Sequence, residues 1–397
     1  MNNYNEIHFP VRPDFQCSQP NAVKHFPHSV ESGSRWSTYG SSSGWTSEII
    51  KAAHGEYRER THFYLDIAVA EKATLNSNLS LEEVSEFTKA LAQTSINAPC
   101  NSIEEHRFDL THAFRISDFS PCKIPTACIS ISPSNNESDN NFYPFRDTCG
   151  CSTHETMEKA IHGALKESLE RQFLLKFWLT KTHSHRILHT VALFTLRNSP
   201  CQNLLKELLK CGELCILDLT DRNFPGSCIL ICYGNKTSSN TEVKYCAGMA
   251  YNKDILSALE KALVELWQTY RFMQSFAARK RSIKEVEDPY LRHFLECNSY
   301  STYEAILCTE NAYHQDLNTK EFTSRNLIKS LRELKLNGYL YLYSPPTAPT
   351  THFCKYISPN LFLHMNNSSK LNLINRYSEN FSHNIKPEQC SKMVPFP

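Results

Sequence analysis

The sequence predicts an α+β (mixed α/β) fold, and three observations carry that reading. Apolar residues recur at three- and four-residue steps in several separate segments, the period of an amphipathic helix. Between them stand short extended runs such as Cys228-Ile-Leu-Ile-Cys232, which reads as a buried strand with both thiols on one face. The two kinds of segment do not alternate in regular strand–helix–strand order, so an α+β or mixed arrangement is favoured.

The elements follow in order. Residues 1–46 lack periodicity, are rich in Ser, Pro and Asn, and read as an arm and loops. The arm is set at 1–35 and one domain at 36–397. From Ser47 to about Phe63 the steps of Ile49, Ile50, Ala53 and Tyr57 are helical, with Ser47 or Thr46 as cap. A second helix over 80–95 opens on Ser80 with Glu83 three residues on, a capping box. The stretch 107–132 reads as strands and 133–141 as a polar loop. A long helix is expected over 155–180, and a shorter one through Leu204, Leu205, Leu208 and Leu209 to Lys210. Leu214–Leu219 and Cys228–Tyr233 read as strands, 254–276 as helix and 290–335 as mostly helical. Residues 339–343 and 353–357 read as extended, and the tail as irregular.

Composition excludes several function classes. The 397 residues are 41% hydrophobic, enough for a sizeable core. Lys and Arg number 42 against 41 Asp and Glu, a net charge of +1, so no nucleic-acid footprint is present. The run Arg279-Lys280-Arg281 reads as a solvated helix end. No run of about eighteen apolar residues occurs, so no membrane span is expected. The start, Met-Asn-Asn-Tyr-Asn-Glu-Ile-His, has no basic or apolar signal region, which points to the cytoplasm. Sixteen cysteines without paired Cys-x-x-Cys knuckles read as buried thiols rather than structural zinc. His54, His154 and His162 lie near the motifs below but show no triad order, and read as packing residues.

The chemistry-bearing feature is a pattern used three times. Ala52-Ala53-His-Gly-Glu56-Tyr-Arg-Glu59-Arg60 is echoed by Gly163-Ala164-Leu-Lys-Glu167-Ser-Leu-Glu170-Arg171, and then by Ala262-Leu-Val-Glu265-Leu-Trp-Gln268. Each puts two oxygen-bearing side chains one turn apart on one helix face. Such pairs also occur as weak ion pairs on solvated helices. Here the flanks are apolar, and buried carboxylates need partners or a metal. In the first two copies small residues sit three and four positions before the first Glu, leaving room for a close approach. Four glutamates with two arginines suit a hard cation such as magnesium, presented to a triphosphate. Neither Gly-x-x-x-x-Gly-Lys-Ser/Thr nor Gly-x-Gly-x-x-Gly is present among the eleven glycines. A bound nucleotide would therefore rest on a carboxylate–magnesium cluster.

At this point the residues resemble the YcaO family. The likeness lies in the ordered set Glu56-x-x-Glu59-Arg60, Cys149-Gly-Cys-Ser152 running into the helix of Ala160, Glu167, Glu170 and Arg171, Glu265-x-x-Gln268, and Pro395-Phe-Pro397. It spans residues 35–397. Within the family it runs to the cyclodehydratase subunits of microcin-type thiazole/oxazole synthetases, through Asp147–Ser152, Val264–Gln268, Phe362-Leu-His-Met-Asn-Asn367 and Ser391–Pro397. Departures are Cys149, Lys159 and Met393, where many relatives have Asn, an acidic residue and Pro.

The resemblance implies helices packed on mixed or antiparallel sheets around a site for ATP and Mg2+. Glu56, Glu59, Glu167 and Glu170 would hold magnesium and phosphates. Arg60 and Arg171 would steady them, and Glu265 and Gln268 would complete the nucleotide site. Glu59, Glu170 and the α-carboxylate of Pro397 would stand nearest the chemistry. The implied reaction is ATP-dependent cyclodehydration of Cys, Ser or Thr in a precursor peptide to thiazoline or oxazoline. Implied partners are that peptide, a zinc-containing leader-binding subunit similar to ubiquitin-activating enzymes, and an FMN-dependent dehydrogenase. Backbone amidine or thioamide formation, or a non-catalytic peptide-docking scaffold, stay open as alternatives.

Overall fold

The computed structural model describes residues 13, 15–19, 25–34, 39–96, 100–134, 137–236, 243–279, 282–286, 288–311, 320–348, 350–368 and 370–396. Residues 15–19, 28–33 and 39–44 are not the loops expected. They form a three-stranded antiparallel sheet of β1 (Phe15–Gln19), β2 (His28–Gly33) and β3 (Tyr39–Gly44). Its Ser- and Gly-rich strands lack the β-branched and aromatic residues that announce a strand. The backbone ladder and a buried Ser29–Ser43 hydroxyl bond of 2.7 Å hold β2 to β3 instead.

Helix α1 (Glu48–Leu65) covers the expected span, but Ser47 is itself in helical geometry and its side chain caps nothing. After β4 (Glu71–Ala73), helix α2 (Leu81–Thr94) carries the expected capping box. Ser80 Oγ accepts from Glu83 N, and Glu83 Oε2 accepts from Ser80 N at 2.8 Å. Helix α3 (Cys100–Glu105) leads to the hairpin β5 (Phe108–Arg115) and β6 (Pro121–Pro125). Next come β7 (Cys151–His154), α4 (Met157–Thr180), β8 (Thr182–His183), β9 (His185–Arg186), α5 (His189–Thr195) and α6 (Cys201–Cys211). Strands β10 (Glu213–Asp218), β11 (Ser227–Gly234) and β12 (Tyr245–Asn252) run into α7 (Ile255–Ala278). The remainder is α8 (Pro289–Glu296), α9 (Tyr300–Leu307), β13 (Glu310–Asn311), α10 (Ser324–Glu333), β14 (Tyr339–Tyr343), β15 (His352–Ile357) and the single turn α11 (Arg376–Glu379). Lys280 and Arg281 of the basic run lie outside the described residues.

Two larger sheets carry the core. One orders its strands β4-β5-β14-β15-β7 with β6 added on β5, and the other β12-β11-β10-β9. Pairing within both is antiparallel, whereas β13 and β8 pair in parallel. Helix α4 lies against β7 and β15 and reaches β12, so it stands between the two sheets. Its buried Leu165, Leu169, Phe173 and Phe177 share a core cluster with Ile229, Ile231 and Tyr251. Helices α2 and the β5–β6 hairpin close a second cluster around Phe87, Phe108 and Ile124. Among the described residues the cysteines are free thiols, and no helix is long and apolar enough to cross a membrane.

The three helices with the paired acidic residues share one construction. Each directly follows a strand and folds back against it: β3 into α1, β7 into α4, β12 into α7. At each crossing a glycine removes the side chain that would hold them apart. A Cβ on Gly40 would run into the backbone of Ala53 and Tyr57, one on Gly163 into Ser152, and one on Gly248 into the backbone of Ala262 and Leu266. Ala53 and Gly163, the small residues upstream of the first two pairs, are thus the approach points expected of them. Gly248→Ala is expected to lower unfolding free energy by about 1–3 kcal/mol, because backbone on both sides must shift. Gly55→Ala, into open space on α1, is expected to raise it by about 0.5–1 kcal/mol. Denaturant unfolding of the two variants checks this, and equal shifts would contradict it.

Candidate active site

The construction of α1, α4 and α7 brings their polar pairs to one cleft. On α1, Glu56 Oε2 accepts from the backbone N–H of Ser41 in β3 at 2.8 Å, while Glu56 Oε1 pairs with Arg60 at 2.7 Å. The Arg60 guanidinium also lies 4.7 Å from the Tyr39 ring centre. On α7, Gln268 Nε2 donates to the Ser41 hydroxyl at 2.7 Å. Ser41 therefore ties the first pair to the third. On α4, buried Glu170 accepts from the Tyr251 N–H of β12 at 2.7 Å. Helix α4 is started by Thr156, whose hydroxyl accepts from Lys159 N, and α7 by Asp254, whose carboxylate accepts from Ser257 N. These caps fix where each pair falls along the cleft.

The electrostatics are those of crowded anions. Burial and then the neighbouring Glu56 push the Glu59 carboxyl up to about 8, against the pull of Arg60 and the Thr153 N–H. Burial and then Glu265 raise Glu170 to about 7. Burial raises Glu167 well above the carboxylate range, with Glu59 and Glu170 adding to the shift and Arg171 opposing it. Glu59, Glu167, Glu170 and Glu265 are thus linked in one chain of like charges across three helices. Lys261 meets Glu265 at 3.3 Å and is raised by it. Arg60 and Arg171 are both raised by the glutamates around them, although burial opposes this. Every residue of the three predicted pairs, with both arginines, is therefore in or beside the cleft.

The carboxylates suit magnesium in a particular way. Among the described residues, no three metal-ligand side chains converge on one point, so the chain offers no all-protein cage. Magnesium commonly takes one or two carboxylates and fills its octahedron with phosphate oxygens and water. Carboxylates spread along a cleft and short of positive charge fit that mode, with a polyphosphate supplying the remaining ligands.

Several residues here escaped the sequence reading. Ser41 lies in a Gly-Ser-Ser-Ser-Gly run that looks like a turn, and its partner Gln268 is 227 positions away. The Asp147 carboxylate accepts from Cys149 N at 3.0 Å and Met365 N at 2.7 Å, and its carbonyl accepts from Lys355 Nζ at 3.0 Å. Burial pushes the Cys149 and Cys151 thiols well up, which removes them as nucleophiles. His162 packs edge-on against Phe322 at 4.9 Å and His54 against Tyr57 at 6.1 Å, as packing residues do.

The C-terminal segment reaches the same place. Trp178 Nε1 donates to Lys392 O at 2.6 Å, Val394 N to Asn367 Oδ1 at 2.9 Å, and the Tyr245 hydroxyl to Pro395 O at 2.7 Å. The buried ring of Phe396 then lies 5.3 Å from the Arg171 guanidinium. Pro397, assigned to the site from the sequence, lies outside the described residues.

Comparison with known proteins agrees with this geometry. The family model described as YcaO cyclodehydratase, ATP- and Mg2+-binding, matches residues 50–362. The microcin B17-processing protein McbD of Escherichia coli is 32% identical over 366 residues, 91% of this chain and 90% of that protein. A chain of the E. coli microcin synthetase McbBCD complex superposes with a TM-score of 0.88 at 30% identity, over 97% of each chain. The same complex with pro-MccB17 bound gives 0.88 at 29%. YcaO from Methanopyrus kandleri, bound with AMPPCP and Mg2+, gives 0.57 at 13% identity over 89% of this chain and 87% of that one, a likeness of fold alone. By its matched residues, its identity to a curated relative and its cleft, this chain belongs to the YcaO cyclodehydratases, a family that binds ATP and Mg2+.

Proposed function

We propose that this chain is the cyclodehydratase subunit of a thiazole/oxazole-forming synthetase, acting on Cys, Ser and Thr of a ribosomally made precursor peptide. The observation that carries the reading is the cleft itself. Three helices gather Glu56, Glu59, Glu167, Glu170 and Glu265, and burial, with the neighbouring carboxylates adding to it, raises the protonation range of Glu59, Glu167 and Glu170. The likeness to a chain of McbBCD supports a multisubunit setting. A zinc-containing leader-binding subunit, an FMN-dependent dehydrogenase and a cytoplasmic location complete the proposal.

When bound, ATP and Mg2+ supply a phosphoryl group that turns a peptide amide oxygen into a leaving group, so that ring closure yields an azoline, ADP and phosphate. The chain's own residues do the positioning. Glu56, Glu59, Glu167 and Glu170 would hold the divalent cations and, through them, the phosphates. Arg60 is fixed by Glu56 and Tyr39, and Arg171 by its contact with Phe396, so both present oriented positive charge. Glu265 and Gln268 close the α7 side of the nucleotide, with Ser41 locking the Gln268 amide. Pro397 follows Phe396, which sits on Arg171, and its α-carboxylate is proposed as a fixed charge of the site.

Glu59→Gln and Glu167→Gln are expected to keep the fold and to lower dehydration of a precursor peptide about 10²–10³-fold. Loss of one water per ring, followed by mass spectrometry with the partner subunits present, measures it. Calorimetry that finds nucleotide binding unchanged in both variants, with and without Mg2+, would remove these residues from the site.

The raised carboxyls also set a pH dependence. In an unfolded chain such groups titrate near about 4.3, whereas in the fold Glu170 and Glu59 titrate near about 7 and about 8. Between those values the folded chain holds more protons than the unfolded one. Metal-free stability should therefore fall as pH rises from about 5 to 8. MgADP added at pH 7 should displace protons, seen as a binding heat that changes with the ionisation enthalpy of the buffer. A flat stability profile would show that the carboxylates are not crowded.

A third expectation concerns the terminus. A short C-terminal extension should abolish cyclisation by displacing the terminal carboxylate, since about 1 Å of misplacement costs roughly 10² in rate. An N-terminal tag should be harmless. Peptide mass loss by both tagged forms, after each is shown to assemble, decides the point, and equal activity would place Pro397 outside the site.

A further inference from the structure

Helix α8 carries a side chain that the mechanism above leaves unused. Tyr290 is its second residue, held in place by Asp288, whose carboxylate accepts from Tyr290 N at 2.8 Å and Leu291 N at 3.0 Å. One turn on, the His293 ring meets the backbone of Met393 and Val394, and Cys297 Sγ lies 3.4 Å from His293 Nε2. This face of α8 therefore seats the C-terminal segment. The Tyr290 ring packs on the main core, yet its hydroxyl oxygen is buried and has no hydrogen-bond partner among the described residues.

The surroundings of that hydroxyl are specific. Arg171 is the charge that acts on it most strongly, followed by Asp147, Cys149 and Asp288, and Tyr290 is in turn a leading influence on Arg171. A buried hydroxyl without a partner costs stability, and replacing it by hydrogen would remove that cost. Burial outweighs the opposing pull of Arg171 on the phenol, so the group stays an O–H, able to donate. A neutral donor beside a guanidinium makes a two-point receptor for an oxygen bearing negative charge.

We infer that the Tyr290 hydroxyl is a further hydrogen-bond donor of the active site, acting with Arg171 on an anionic oxygen brought there during the reaction. This rests on the function proposed above. The oxygen belongs either to a nucleotide phosphate or to the peptide amide under attack, and the two sources are separable by kinetics.

The test is Tyr290→Phe in the assembled synthetase, beside the unaltered enzyme. A wild-type complex without ATP-dependent dehydration would refute the proposed function and leave Tyr290 aside. With an active wild type, Tyr290→Phe should melt at the same temperature or higher and lose at least about tenfold in kcat. A peptide oxygen predicts that loss with MgADP affinity unchanged, and a phosphate oxygen predicts MgADP affinity weakened by a similar factor. Wild-type kcat together with wild-type MgADP affinity would overturn the inference, because a role confined to packing moves neither. Should the Phe variant unfold, fluorotyrosine at position 290 keeps the ring and strengthens the donor. A changed kcat then supports the inference and an unchanged one overturns it.

Discussion

The site depends on three places where a glycine lets a strand and the helix that follows it come into close contact. Gly40 beneath α1, Gly163 on α4 over β7, and Gly248 beneath α7 each stand where a single methyl would not fit. Close seating has two effects. It lets each strand present main-chain N–H groups to the acidic pairs, as Ser41 does to Glu56 and Tyr251 to Glu170. It also brings three helices near enough that glutamates on different helices feel one another. Spacing the helices further apart would leave the pairs as ordinary solvated acids.

That closeness is electrostatically costly. Several carboxylates share a half-buried space with two arginines, and protonation rather than pairing relieves part of the repulsion. A divalent ion bound among these carboxylates, as proposed, would remove the repulsion and free the protons together.

What the sequence shows and hides follows from the same contacts. Local signals survive: the Ser80–Glu83 capping box, the long periodic runs of α4 and α7, and the repeated Glu-x-x-Glu/Gln spacing were all legible. The small sheet and β12 were not. In β12, Gly248 and Ala250 are the small residues on the face toward α7, so the feature that builds the site erases the β-propensity that would reveal the strand. In β3, the Ser and Gly residues that touch α1 and Gln268 read as a turn for the same reason. Ser41 and Tyr290 act across long sequence separations, so no local pattern announces them. The capping role expected of Ser47 failed because its own backbone is helical, where a capping residue is extended.

The C-terminal segment shows why motifs that bind nothing belong with those that do. Gln172 of α4 bonds both main-chain groups of Phe362, and Asp147 accepts from Met365, so the segments Asp147–Ser152 and Phe362–Asn367 are clamped together beneath α4. Asn367 at the end of that clamp then holds the tail, donating to the carbonyls of Gln389 and Lys392 and accepting from Val394 N. Trp178 of α4 and Tyr245 of β12 add the remaining bonds to Lys392 and Pro395. The elements that fix the tail are therefore those that fix Glu170, which lies on α4 and is bonded by β12. A shift of α4 would move the acidic pair, Arg171 and the seat of Phe396 together. The seat of Phe396 and the position of Glu170 are therefore set by the same contacts of α4 and β12.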